Sequence, residues 1–199
     1  MASKPLKYVL FLGTVRENRL GLRVAKFMQN FLLKAGHDVD FMDAQELNLP
    51  LLKKPLHFYK NPSEAPPLLV DLGNRIKEAD GYVVITGEYN HSIPPALANL
   101  LDHFPGSSFS YKPSGIVCYS PGQYGGMRAA IQLRALLGEI GCISVSNIFG
   151  LPQTNKSLDE EGKPLNDHME SGAKRLLTQL DWHAHAMRNH REGFGIPGK

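Results

Sequence analysis

Residues 8–12 read YVLFL, an uninterrupted apolar run that ends at Gly13. Apolar runs without polar alternation are typical of strands that are buried on both faces of a parallel sheet. From residue 20 to residue 35 the apolar side chains recur every three or four positions, and Gly36 then supplies a helix stop. This part of the chain therefore predicts a central strand followed by an amphipathic helix.

The same alternation continues along the chain. Four further strands, rich in β-branched or aromatic residues, are predicted at residues 37–42, 81–86, 115–119 and 143–149. Helical patterns lie at residues 67–79, 94–104, 127–140 and 167–187. Strands that alternate with helices through short connections form right-handed βαβ units. We therefore expect an α/β fold: a doubly wound, five-stranded parallel sheet in the order 2-1-3-4-5, with helices on both faces.

The length of 199 residues suits one domain, which we place at residues 1–188, followed by a mobile C-terminal tail at residues 189–199. Residues 44–66 contain four prolines and are too long for an ordinary connection. This segment is either a functional flap or an interface element. Residues 151–166, rich in proline and polar side chains, form a second excursion.

The composition excludes several classes of protein. The net charge is only +3, and the 22 basic residues are spread without a long run, so no nucleic-acid partner is expected. No segment approaches the roughly 18 uninterrupted apolar residues of a membrane helix, and the start of the chain does not resemble a secretion signal. Cys118 lies in a predicted strand and Cys142 in the apolar run directly before another, which indicates buried free thiols in a reducing compartment. We expect a soluble, cytoplasmic protein.

Ligands of open α/β sheets lie beyond the carboxyl ends of the strands. The loop after the first strand joins a hydroxyl, a guanidinium and an amide, from Thr14, Arg16 and Asn18, to the start of a helix. Backbone N–H groups and the helix dipole favour an anion there, and arginine can bind phosphate oxygens through two parallel hydrogen bonds. The alternative is a solvated helix-capping loop. A P-loop ending and a Gly-x-Gly-x-x-Gly motif are both absent here, which indicates a mononucleotide.

Two other loops are unusual. Residues 86–95 follow the third strand, and Tyr89 and Asn90 could hold a flat heteroaromatic ring; the alternative is a turn of purely local structure. Residues 120–128 follow the fourth strand and carry three glycines, which allow the backbone to approach a ligand closely; the alternative is a plain glycine-rich turn. The next helix points its positive end at the same site.

Taken together, these loops resemble the NADPH-dependent FMN reductase family, which includes quinone reductases and azoreductases. The motifs are Gly13-Thr14-Val15-Arg16, Glu88-Tyr89-Asn90-His91-Ser92-Ile93-Pro94 and Gly122-Gln123-Tyr124-Gly125-Gly126-Met127-Arg128. The resemblance implies a flavodoxin-like fold, FMN as cofactor, NADPH or NADH as electron donor, and a small-molecule acceptor. The cofactor-binding residues that it implies are Thr14, Arg16, Asn18, Arg19, Leu20 and Gly21 in the first loop, Glu88, Tyr89, Asn90 and His91 in the second, and Ser120, Gly122, Gly125 and Gly126 in the third.

The chain departs from the family pattern at two places. Many relatives carry a second serine or threonine in the phosphate loop, where Arg19-Leu20-Gly21 stands here, and relatives commonly have proline where this chain has Gly87. The resemblance also implies a homodimer or homotetramer with the site near a subunit contact. That favours a partner subunit against residues 44–66.

The implied mechanism is a ping-pong cycle in one pocket. Nicotinamide stacks over the exposed flavin face, gives hydride to flavin N5, leaves, and is replaced by the acceptor. No catalytic residue is assigned. His91 is the candidate acid for protonating a quinone, and the alternative is a structural histidine in a helix-entry turn. We expect no metal, because His183, His185 and His190 are not spaced to share one helical face.

Two alternatives come from other classes of protein. One is a flavodoxin-type electron carrier, against which the basic charge and the long extra segment argue. The other is a flavin-bound redox sensor. The sequence does not specify the physiological acceptor or the preference between NADPH and NADH.

Overall fold

A computed structural model describes residues 4–197. Five parallel strands form one sheet, in the order β2-β1-β3-β4-β5. Their bounds are β1 (Lys7–Leu12), β2 (Asp38–Asp43), β3 (Gly81–Gly87), β4 (Lys112–Tyr119) and β5 (Cys142–Leu151). The predicted α/β fold and strand order are confirmed.

Helices cover both faces of the sheet. They are α1 (Gly21–Lys34), α2 (Ala44–Leu47), α3 (Pro67–Glu78), α4 (Pro95–Asp102), α5 (Gly106–Phe109), α6 (Met127–Glu139), α7 (Thr154–Ser157) and α8 (Asp167–Phe194). One hydrophobic core lies between the sheet and α1 and α8, and the second lies between the sheet and α3, α4, α5 and α6. The sheet is therefore the middle of three layers.

The YVLFL run supplies both cores at once. Tyr8, Leu10 and Leu12 belong to the core under α1 and α8, whereas Val9 and Phe11 belong to the opposite core. All five side chains are fully buried. Since burying one large apolar side chain contributes about 1.5–3 kcal/mol, a polar residue at any position of this run would be strongly destabilising.

β4 begins at Lys112, three residues before the predicted start at residue 115. The prediction was wrong at this end because Pro113 reads as a strand breaker. Pro113 lies opposite Ile143 of β5, but the pairing of β4 with β3 begins only at Ser114. Proline is tolerated where one side of the strand makes no ladder bonds.

The last helix also differs from its prediction. α8 does not end at Met187 but continues to Phe194, through residues that we predicted as a mobile tail. The Arg188 guanidinium donates to the carbonyl oxygens of Lys4 and Pro5 and to Asp80, and Arg191 donates to Asp80 and to the Tyr111 carbonyl oxygen. These arginines anchor the end of the helix at the amino edge of the sheet. Residues 198 and 199 of the predicted tail lie outside the described residues, and the division at residue 188 stays a prediction.

The two irregular segments are ordered against the body of the fold. Residues 44–66 contain α2 and two 3-10 turns, Leu56–Phe58 and Pro62–Glu64. The Asn99 side chain of α4 donates to the carbonyl oxygens of Leu49 and Pro50 and accepts from the Leu52 N–H. In residues 151–166, α7 is followed by a turn that an isolated bridge closes between Leu158 and Pro164.

Candidate active site

The first loop begins α1 around a buried tyrosine hydroxyl. Tyr119, the last residue of β4, has its hydroxyl 2.9 Å from Oγ1 of the buried Thr14, and the Gly21 N–H donates to the same hydroxyl. A Cβ at position 21 would lie 2.4 Å from that hydroxyl oxygen and 2.6 Å from Thr14 Oγ1. Only glycine leaves room for this arrangement, which explains the glycine in the unusual Arg19-Leu20-Gly21 sequence.

The two arginines of this loop have different surroundings. Arg19 donates through both terminal nitrogens to the carboxylate of Asp43, each at 2.5 Å, and the two side chains are 8% and 5% exposed. One of these nitrogens also donates to the Thr14 carbonyl oxygen. Arg19 therefore braces the loop, and its charge is balanced by Asp43.

Arg16 instead lies over a ring of the second loop. Its Cζ is 3.7 Å from the centre of the Tyr89 ring. Within residues 4–197, no carboxylate forms an ion pair with Arg16. The Leu20 side chain does not cap α1, and no acidic residue lies in its first turn. The start of α1 is therefore electropositive, and Arg16 is the arginine there whose charge is available to an anion.

The second loop is a tight hairpin. Tyr89 and Ser92 exchange backbone hydrogen bonds of 3.0 and 2.9 Å, and the two residues between them, Asn90 and His91, have φ angles of 51° and 63°. Positive φ at both central residues is the mark of a type I′ turn. Asparagine tolerates this region well, whereas histidine is less usual there. His91 is exposed, and its carbonyl oxygen accepts from the Gln132 side chain at 2.8 Å. Its predicted role as an acid stays a prediction.

Glu88 links the second loop to the helix that follows the third. Its Oε2 accepts from the backbone N–H groups of Arg128, at 3.1 Å, and Ala129, at 3.4 Å, in the first turn of α6. Its Oε1 is 2.5 Å from the Arg128 guanidinium. Burial raises the pKa of Glu88, but these hydrogen bonds and the charge of Arg128 outweigh that effect, so its pKa lies below the ordinary value. Glu88 is therefore ionised.

In the third loop, glycine is needed mainly for contacts within the protein. Gly126 has φ of 79°, and a Cβ there would lie 2.8 Å from the backbone nitrogen and oxygen of Tyr119. Gly125 also has positive φ. At Gly122, by contrast, a Cβ would meet only Ser120 Oγ, at 3.8 Å. The space beside the Gly122 Cα is therefore open, whereas its carbonyl oxygen accepts from the Ser120 hydroxyl and from the Gln153 N–H.

The three loops meet at one cleft of about 170 Å³. Seven predicted residues line it: Arg16, Asn18, Arg19, Leu20, Glu88, Tyr89 and Ser120. The other predicted positions do not line it: Thr14 and Gly21 contact the Tyr119 hydroxyl, Asn90 and His91 form the tip of the hairpin, and Gly122, Gly125 and Gly126 belong to the third loop. Lining residues that the sequence reasoning missed are Glu17, Gly87, Tyr119 and Pro121.

Two further groups near the cleft are held in their neutral forms. Burial raises the pKa of Tyr119 to about 12, despite its hydrogen bond with Thr14. Burial, followed by the charge of Glu88, likewise raises the pKa of the Cys118 thiol to about 12. Cys118 is therefore protonated at neutral pH and is not a nucleophile.

Comparison with known proteins identifies the fold and the loops together. The family described as NADPH-dependent FMN reductase matches residues 6–156, which include all five strands and all three loops. The chain belongs to this family. It is thus an FMN-dependent NAD(P)H oxidoreductase with a small-molecule acceptor, and the enzyme hypothesis is confirmed over the carrier alternative.

Individual relatives agree with this assignment. The chain is 30% identical over 139 residues to a quinone reductase of Escherichia coli, an alignment that covers 68% of this chain and 71% of that protein. It is 26% identical over 163 residues to an NADPH azoreductase of Bacillus sp., with 80% and 86% covered. The solved structure of FerB, a flavoenzyme NAD(P)H:(acceptor) oxidoreductase from Paracoccus denitrificans, matches its fold with a TM-score of 0.71 at 24% identity, over 93% of this chain and 98% of that one.

The three histidines near the end of the sequence lie on α8, outside the cleft. His183 contacts the Gln179 carbonyl oxygen, His185 contacts Arg188, and His190 stacks on Phe194. Each histidine thus has its own partner on α8. Among residues 4–197, no helix is long and apolar enough to cross a membrane.

Proposed function

We propose that one FMN lies across the carboxyl edge of the sheet, with its phosphate at the start of α1 and its ring between the second and third loops. The observation that carries this proposal is the convergence of the three loops on a single cleft that is electropositive at α1. The donor set suits the cofactor, because a phosphate needs N–H groups and a guanidinium and a ring needs a backbone surface with polar groups at its rim.

In this arrangement Arg16 is the main phosphate ligand. Its guanidinium leaves the Tyr89 ring and binds phosphate oxygens, while Asn18 and the backbone of the loop complete the shell. Arg19 holds the loop in place through Asp43. Thr14 and Gly21 do not contact the phosphate themselves. They hold the Tyr119 hydroxyl against the first turn of α1 and so support the loop that binds it.

The second and third loops hold the ring. The type I′ turn fixes the backbone of Tyr89, Asn90 and His91, and Ser120 with Pro121 forms the opposite wall. When bound there, FMN would supply the hydride chemistry that links NAD(P)H to the acceptor. We infer that donor and acceptor use this one cleft in turn, in a ping-pong cycle.

We propose quinones as the principal acceptor class, with azo compounds and free flavin as secondary acceptors. Support comes from relatives that are named quinone reductase and NADPH azoreductase. No side chain of the described cleft needs to act as an acid for the hydride step.

The test is an anaerobic titration of the FMN-loaded protein with NADPH, followed by a quinone, with absorbance at the flavin band as the readout. We expect bleaching by NADPH and full recovery with one equivalent of quinone.

The outcome of this titration is decisive. FMN that binds but does not bleach would contradict the reductase function, and bleaching without recovery by any quinone would contradict the acceptor class. A parallel titration with NADH measures the preference between the two donors.

We also propose a homodimer or homotetramer in the cytoplasm. Leu51 and Phe58, in the proline-containing segment, are 80% and 63% exposed, and they form the apolar surface that would meet a second subunit. Light scattering should show a smaller particle for Leu51→Glu combined with Phe58→Glu. Leu165→Glu changes an equally apolar exposed position elsewhere and should leave the mass unchanged.

The buried free thiols of Cys118 and Cys142 support the proposal of a reducing compartment such as the cytoplasm. Cell fractionation tests this location.

A further inference from the structure

Glu88 occupies an unusual position for a carboxylate beside a proposed flavin site. It lines the cleft, yet its side chain is only 7% exposed. Its oxygens accept from the N–H groups of Arg128 and Ala129 and meet the Arg128 guanidinium, so that all its strong contacts are with the start of α6. Glu88 thus caps the start of α6, although it lies 40 residues earlier in the sequence than Arg128. A helix is usually capped by the side chain of its own N-cap residue.

A second residue of α6 reinforces this contact. Gln132, one turn after Arg128, donates to the His91 carbonyl oxygen at 2.8 Å and accepts from the Ser92 hydroxyl at 2.6 Å. The side chains of residues four apart lie on the same face of a helix. One face of α6 therefore fixes both the beginning and the end of the hairpin that forms the second loop.

The charges in this contact nearly cancel. The first turn of α6 carries partial positive charge on its N–H groups, and two of these groups are already occupied by Glu88. The glycine-rich loop before α6 led us to expect that this helix would direct its positive end at the bound ring. Glu88 removes much of that positive field from the cleft, and it also balances Arg128.

We propose that Glu88 and Arg128 are positioning residues that set the midpoint potential of bound FMN, with Glu88 lowering it and Arg128 raising it. The inference rests on the proposed function. Hydride transfer moves two electrons and one proton from NAD(P)H, which leaves as NAD(P)⁺, and it adds one negative charge at the flavin. A carboxylate in the cleft wall opposes that charge, and a guanidinium favours it.

Burial decides which of the two residues acts more strongly. The Glu88 side chain is 7% exposed, whereas the Arg128 side chain is 44% exposed and is screened by solvent. Loss of the Glu88 charge should therefore shift the potential further than loss of the Arg128 charge. A lower potential makes the bound flavin a stronger reductant toward its acceptor.

The experiment compares four FMN-loaded proteins: wild type, Glu88→Gln, Arg128→Gln and the double variant. Glutamine keeps the shape of Glu88 and one acceptor oxygen, so the contact with α6 persists without its charge. Midpoint potentials are measured by equilibration with a redox dye. We expect Glu88→Gln to shift the ratio of reduced to oxidised flavin at least tenfold toward the reduced form, which is about 30 mV for a two-electron couple.

Arg128→Gln should shift the ratio in the opposite direction and by less, and the double variant should return to within about threefold of the wild type. A contact with only a structural role would move both single variants in the same direction. Glu78→Gln is the matched control, because Glu78 pairs with Lys7 at 2.7 Å at the amino edge of the sheet. It removes the same charge far from the cleft and should leave the potential unchanged.

Amide exchange in the FMN-free protein gives an independent readout. Protection of the Arg128 and Ala129 amides should fall in Glu88→Ala and persist in Glu88→Gln. Equal potentials in all four proteins, shifts of one sign in both single variants, or a matching shift in Glu78→Gln would each overturn the inference. A wild type that does not bind FMN would overturn the proposed function as well, so the two failures are distinguishable.

Discussion

The start of α1 lies at the cleft and the start of α6 is linked to it through Glu88, and the two helix starts have different electrostatic roles. Both helices follow strands of the sheet centre, and neither has a capping side chain at its own N-cap. At α1 the first N–H meets the neutral hydroxyl of Tyr119, so the positive end of the helix keeps its field. At α6 two N–H groups meet the ionised Glu88. The comparison teaches that the free N–H groups at a helix start can have two uses. At α1 they are left for the phosphate of the proposed ligand, and at α6 they bind the carboxylate of Glu88.

The largest effect on this comparison should come from Asp43, which holds the first loop through Arg19. Asp43→Ala leaves the Arg19 charge buried and unpaired, and removing one partner of a buried pair typically costs about 3–5 kcal/mol. Urea unfolding should show a loss of that size. In the control, Glu161→Gln breaks the exposed pair with Lys26 and should cost about 0–1 kcal/mol. Equal losses in the two variants would contradict the bracing role of Asp43.

Replacement of Arg16 tests whether the FMN phosphate binds at the start of α1. A charge-assisted hydrogen bond contributes about 1.5–3 kcal/mol, so Arg16→Ala should weaken FMN binding roughly ten- to a hundredfold while the free energy of unfolding stays nearly constant. Isothermal titration with FMN measures the dissociation constant. Arg175→Ala, at an exposed position of α8, should bind FMN as the wild type does. An unchanged affinity in Arg16→Ala would place the phosphate elsewhere.

Replacement of Gly21 tests the close packing of the first turn of α1 against Tyr119 and Thr14. A methyl group there would collide with the Tyr119 hydroxyl and with Thr14, and overpacking typically costs about 1–3 kcal/mol. We expect Gly21→Ala to lower the melting temperature and to weaken FMN binding. Combining it with Tyr119→Phe removes the hydroxyl and should restore part of the lost stability. A double variant no more stable than Gly21→Ala alone would show that the crowding lies elsewhere.

His91 should give the smallest effect. Glycine relieves the positive φ but increases the entropy of the unfolded chain, and these terms are each about 1 kcal/mol and opposite in sign. His91→Gly should therefore leave the free energy of unfolding within about 1 kcal/mol of the wild type. Because the residue lies at the tip of the turn, quinone reduction should persist. A large loss of turnover with normal FMN binding would instead establish His91 as an acid.

The sequence predicted the sheet because its strands are local signals. A run such as YVLFL is typical of a strand that is buried on both faces, and here its side chains contribute to both cores. The position of the cleft followed from the rule that ligands lie at the carboxyl edge. Seven of the predicted residues were placed there without knowledge of any contact between loops.

The parts that were missed depend on pairs far apart in the chain. In the sequence, Arg19 looks like a phosphate ligand, whereas in the structure it forms an ion pair with Asp43. The periodicity of apolar residues carries no information about such a pair. A usable signal did exist, since Asp43 and Tyr119 are the last residues of their strands and therefore had to reach the same edge. The end of α8 was missed because Arg188 and Arg191 look solvated in sequence, whereas in the structure they bind backbone oxygens at the opposite edge.

The anchor at Arg188 also determines how the two ends of the polypeptide are related. This side chain holds the carbonyl oxygens of Lys4 and Pro5, so the first described residues lie against the last turns of α8. Six further residues of helix span only about 9 Å. A linker of roughly ten flexible residues could therefore join Lys4 to the end of α8. New termini opened between the exposed residues Glu160 and Glu161 would give a circular permutant that keeps every strand, both cores and the cleft intact.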